Sequence, residues 1–127
     1  MRAVWTLVTL SLVMGLFAAS CAARDPFLAE LDAAPRVEGT DKTDVTHVVE
    51  KYIPKGARLN ESLEFLKSRG FKDYPCTNCR VPEGQVWVIA SREQRYKILF
   101  SEETRVIIHS DGRQILGVAA WIFLRGI

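Results

Sequence analysis

The side chains with the widest chemical reach in this chain are three cysteines and two histidines. Cys76 and Cys79 lie in Tyr74-Pro75-Cys76-Thr77-Asn78-Cys79, a spacing that suits a disulfide, half of a metal site or a redox pair. Redox catalysis of the thioredoxin kind needs the first thiol acidified at a helix N-terminus. Pro75 and Pro82 bracket this loop and argue against both helix and strand there. A zinc site wants four ligands, and His47 and His109 stand about thirty residues away on either side. A disulfide needs only the two thiols, and in an oxidising compartment a loop this short adds about 2 kcal/mol at most. The disulfide Cys76–Cys79 is the expected state, with metal binding and redox activity as the alternatives.

Other candidates are weaker. His47 and His109 each fall in a strand-like pattern and read as partly buried histidines with a hydrogen-bond partner. Ser110-Asp111-Gly112, beside His109, is turn chemistry and not a nucleophile elbow. Glu102-Glu103 reads as a solvated pair in a turn. No phosphate-binding glycine loop is present, and the sequence assigns no catalytic residue, metal ligand set or cofactor. The expected function is therefore non-enzymatic. A small redox or hydrolytic enzyme using Cys76 and Cys79 or His109 is the alternative of another class.

The third cysteine raises the question of compartment. Arg2 is the only charge before Arg24, so residues 3–23 form an uncharged run, long enough to span a bilayer. Ala18-Ala19-Ser20-Cys21-Ala22-Ala23 closes it with small residues, the mark of a cleavage site. Leu16-Phe17-Ala18-Ala19-Ser20-Cys21 resembles the lipobox of bacterial lipoproteins, with Ala18 where that motif usually carries Leu. The resemblance implies that Cys21 is lipidated and becomes the new N-terminus, anchoring the chain in the cell envelope and facing the periplasm. Ala22 stands where an Asp would retain such proteins at the inner membrane, which favours the outer membrane. Lipidation also removes the odd thiol and leaves one cysteine pair. An ordinary signal peptide and an uncleaved anchor are the other readings, and all three export the domain.

Composition agrees with one small folded domain. Hydrophobic residues make up 48% of the 127 and charged residues 25%. Formal charge is +2, and without Arg2 sixteen basic residues face fifteen acidic ones. That balance gives no footprint for nucleic acid.

The pattern divides the chain into a leader (1–21), a short helix and tether (22–44), and a single α+β domain (45–127). Asp25 caps a helix opened by Pro26, with Phe27, Leu28 and Leu31 on one side. Val45–Ile53, rich in β-branched residues, reads as a strand. A helix with Leu59, Leu63, Phe65 and Leu66 follows Gly56 and stops at Gly70. Strands are expected over Gln85–Arg92, from Tyr96 after a turn at Glu93-Gln94, over Thr104–Ser110, and over Gln114–Leu124. The Asp111-Gly112 pair predicts a two-residue hairpin turn. The fold class is α+β: an antiparallel sheet of four to five strands, one helix on one face, order β-α-β-β-β-β.

With the lipobox, the Gly56–Gly70 helix region and the hairpin Val106-Ile107-Ile108-His109-Ser110-Asp111-Gly112, the chain resembles the outer-membrane assembly lipoproteins of the BamE/SmpA type. That family places two helices before its sheet, where the pattern here gives a strand and one helix. The resemblance implies a membrane-tethered protein-interaction or assembly module with a protein partner in the envelope. An exported inhibitor or immunity-type protein is a variant that differs in its partner.

A two-residue turn sets Ile108 opposite Ile115 and places Ile115, Gly117, Ala119, Trp121 and Phe123 under the helix. Leu116, Val118, Ile122 and Leu124 then form an apolar outer face, the candidate partner-binding patch.

Overall fold

The computed structural model describes residues 25–126, the side chain of Tyr96 excepted. Its first element, α1 (Pro26–Ala33), starts where expected: the Asp25 carboxylate accepts the Leu28 N–H at 2.9 Å, and Pro26 fills the first turn. Phe27 and Leu31 are fully buried, so this helix is part of the core and not of a tether. The following strand β1 (Lys42–Asp44) also belongs to the folded unit.

The segment expected as a strand over Val45–Ile53 is helix α2 (Thr46–Tyr52). Residue preference pointed one way and periodicity the other. Val45, Val48, Val49 and Ile53 recur at helical spacing and are all buried, while His47, Glu50 and Lys51 are exposed. Burial of one stripe outweighs the weak β-preference of valine. Asp44 supports the start by accepting the Thr46 N–H at 2.8 Å. Helix α3 (Leu59–Lys67) buries Leu59, Ser62 and Leu66. It ends as the sequence implied. Gly70, at φ +88°, takes the left-handed position, and the Phe71 N–H reaches back to the Leu66 carbonyl at 3.1 Å.

Four strands complete the sheet: β2 (Lys72–Pro75), β3 (Val86–Lys97), β4 (Phe100–Ser110) and β5 (Ile115–Gly126). All neighbours are antiparallel, in the order β1-β5-β4-β3-β2. Pro75 is tolerated in β2 because that strand is an edge. The expected turn at Glu93-Gln94 does not exist. Strand β3 runs through it, and the chain reverses at Ile98-Leu99, between Lys97 and Phe100. Among the described residues, three helices rather than one cover a single face of the sheet. They pack Phe27, Leu31, Val45, Val49, Ile53 and Leu66 onto Val88, Ala90, Val106, Ile108, Ala120 and Ile122.

The β4–β5 register also departs from expectation. Ser110 pairs with Ile115, and Asp111 to Gln114 form a wider loop. In it the Asp111 carboxylate accepts the Arg113 and Gln114 N–H groups, both at 2.8 Å. The Ser110 hydroxyl donates to the Gln114 carbonyl at 2.8 Å. Next to this loop the ladder slips, His109 facing Gly117, which leaves Leu116 as the extra residue of a bulge. Ile108 therefore faces Val118 and not Ile115. An odd shift exchanges the two faces of β5.

Candidate functional site

That exchange moves the candidate patch. Ile122, only 3% exposed, belongs to the core, and Val118 packs against it. Leu124 lines a crevice with Arg36, Thr43 and Glu102 on the helix side. Leu116, at the bulge, is 37% exposed and stands apart from the others. The four do not form one outer surface. The reading of this patch as an outer face fails because the bulge at Leu116 makes the register shift odd, whereas the wider turn alone would have kept the faces.

The residues that do face away from the helices are those opposite on the same strands. In β5 they are Gly117, Ala119, Trp121 and Phe123; in β4 Glu103, Arg105, Ile107 and His109; in β3 Trp87, Ile89 and Ser91. Tyr74 of β2 pairs beside Ile89, and Lys42 of β1 beside Phe123. Most of these side chains are half-buried, with Tyr74 and Lys42 exposed and Glu103 buried. Trp87 and His109 rings stand 4.2 Å apart, and Gly117 opposite His109 leaves them room. Lys42 Nζ lies 4.4 Å above the Trp121 ring, and the Arg105 guanidinium 4.9 Å from that of Phe123.

Two carboxylates expected in a solvated turn are instead buried in mid-strand, one on each face. Glu102 faces the helices and is held by Arg36, Nε at 3.2 Å and Nη2 at 2.8 Å. Glu103 faces the open side and accepts from Arg105 at 2.8 Å and Arg125 at 2.9 Å. Each charge is neutralised where it is buried, which is the condition for leaving water.

The remaining candidates separate. Cys21 lies outside the described residues. Cys76 and Cys79 sit at disulfide distance, Cα–Cα 5.6 Å, in the β2–β3 loop, where the Cys76 N–H donates to the Trp87 carbonyl at 3.2 Å. His47 is exposed on α2 and not in a strand. His109 is on the open face, and burial pushes its pKa below the usual imidazole value. Ser110 is fully buried on the other face, and Asp111 is engaged by its own loop, whose N–H groups hold its carboxyl below the ordinary range. Successive residues of a strand point to opposite sides, so His109 and Ser110 do not meet. Among the described residues no group of three or more His, Cys, Asp or Glu side chains is placed to hold a metal ion.

The open aromatic face was missed because the assumed register put Trp121 and Phe123 under a helix. No protein-family model, curated protein or solved structure matches this chain. Among the described residues no helix is long and apolar enough to cross a membrane.

Proposed function

We propose that this protein is a non-enzymatic module, tethered to a membrane of the cell envelope through Cys21, that docks a partner protein on the open face of its sheet. The observation that carries the reading is that face: two tryptophans, a phenylalanine and a tyrosine that no element among the described residues covers. Aromatic and arginine side chains are the groups that dominate protein interfaces. Lys42, Lys72 and Arg105 on the same side favour a partner surface that is apolar at its centre and carries carboxylates at its rim. Helices α2 and α3 precede four of the five strands, as two helices precede the sheet in the BamE/SmpA lipoproteins, although here α1 and the sheet strand β1 come first. The Cys76–Cys79 pair serves as a structural disulfide beside this face, in keeping with an exported domain.

The test has two arms. Metabolic fatty-acid labelling is expected to mark the wild type and not Cys21→Ser; label on the serine variant overturns the anchor. A photo-crosslinker at Phe123 is expected to trap one defined envelope protein, while the same group at Glu50, on the helix side, traps none. Equal yields from both positions overturn the docking face.

A further inference from the structure

The hairpin between β3 and β4 ends in residues that turn chemistry avoids. A two-residue connection favours Gly, Asn or Asp, and this one is Ile98-Leu99. Ile98 is 87% exposed and Leu99 64%, with Phe100 exposed beside them. None of the three belongs to the core. Contiguous exposed apolar side chains of this kind mark a contact surface.

Where the chain enters the fold says what that contact is. The Gln94 side chain donates to Asp32 at 3.1 Å, which puts the end of α1 level with Gln94. Asp25, at the start of α1, binds Arg69 at 2.9 Å, and the neighbouring Gly70 lies against the Arg92 side chain. The whole of α1 therefore crosses the sheet near Arg92 and Gln94, and the hairpin continues four residues further, about 13 Å. Upstream, Cys21 is four residues from Asp25, a separation of at most about 14 Å when fully extended. A chain attached to a bilayer at Cys21 is thus held at a distance that the hairpin tip can bridge. The Asp111–Gln114 loop, at the far end of β4, lies about 33 Å from the tip and is out of reach. Arg95 and Lys97 lie just before the apolar residues, as cations do where a segment enters the boundary between headgroups and acyl chains.

We propose that Ile98, Leu99 and Phe100 insert into the surface of the bilayer that holds the Cys21 anchor. The insertion gives the domain a second, non-covalent membrane contact and fixes its orientation. It rests on the membrane-attached reading above and adds to it a lipid-binding tip distinct from the protein-docking face.

The experiment uses the full chain reconstituted into vesicles of plain phospholipid, so that no other protein can shield the tip. Leu99→Cys and Asn60→Cys, the latter beside the Asp111–Gln114 loop, are each treated with a membrane-impermeant maleimide. In vesicle-bound protein, position 99 is expected to react at least about tenfold more slowly, since burying one leucine side chain exceeds a factor of ten. Adding Ile98→Asp to Leu99→Cys is expected to restore the rate seen at position 60. Equal rates at 99 and 60 in protein that floats with the vesicles overturn the insertion and leave the tether standing. Failure of the full chain to float overturns the attachment, and the insertion with it.

Discussion

The two faces of this sheet are made of different materials although the same three long strands supply both. Toward the helices the strands present Val88, Ala90, Val106, Ile108, Ala120 and Ile122, small or branched side chains that let α1 and α2 come close. Away from them they present Trp87, Ile89, Ile107, His109, Trp121 and Phe123. Each face also buries one carboxylate, but with a different margin. Glu102 depends on Arg36 for its ion pair, whereas Glu103 is shared by Arg105 and Arg125. The covered face holds the fold together through partners brought from distant parts of the chain. The open face is assembled within the sheet.

The largest expected effect lies on the covered side. Phe27 is fully buried with its ring 5.1 Å from that of Tyr52 and 5.2 Å from that of Phe65. Phe27→Ala should cost about 3–5 kcal/mol and lower the Tm by more than 10 °C, read by thermal melting. A small change would mean that α1 is only loosely docked.

The paired carboxylates give the next comparison. Arg36→Ala strips Glu102 of its ion-pair partner. Because Arg36 retains 30% of its side-chain exposure, we expect about 2 kcal/mol, less than a fully buried pair would lose. Arg125→Ala leaves Arg105 on Glu103 and should cost under about 1 kcal/mol in denaturant melts. Reversal of that order would contradict the account of the two faces.

Acidity supplies the smallest effect. His109 has its pKa lowered by burial, from an unperturbed value of 6.5. The unfolded chain then binds the proton more readily than the folded one. Stability is accordingly full above the unfolded value and declines as pH falls from about 6.5 toward the folded one. His109→Gln should flatten the Tm between neutral pH and mildly acidic pH relative to the wild type. Parallel slopes in the two proteins would assign the acid sensitivity elsewhere.

Much of this architecture could be read from residue patterns where periodicity and end signals agreed. The α3 helix with its Gly70 stop, the Asp25-Pro26 start of α1 and the antiparallel α+β class all followed from such agreement. Reading failed where the two disagreed or where a turn broke its own rules. Val45–Ile53 carries β-branched residues at helical spacing, and tertiary burial decided for the helix. Ile98-Leu99 has no turn chemistry, so the reversal was placed earlier, at Glu93-Gln94. The Asp111-Gly112 signal was real, but Ser110 and Asp111 widen the loop with their own side chains, and the slip at Leu116 exchanges the faces of β5 that a two-residue turn implies. The open aromatic face was therefore hidden by register, which a single bulge residue reverses and composition does not show.

The division of labour between the faces is tested most directly by the same substitution at neighbouring positions of β5, Trp121→Ser and Ile122→Ser, compared by thermal melting. Ile122 opposes Thr104 on the covered side and Trp121 opposes Arg105 on the open one. Ile122→Ser creates a cavity and buries a hydroxyl, so its Tm should fall by roughly 10 °C or more. Trp121→Ser removes a half-buried ring that packs beside Lys42, and its Tm should fall by no more than about 5 °C. A loss at Trp121 equal to or larger than that at Ile122 would show that the aromatic face is itself part of the core, and would contradict the account.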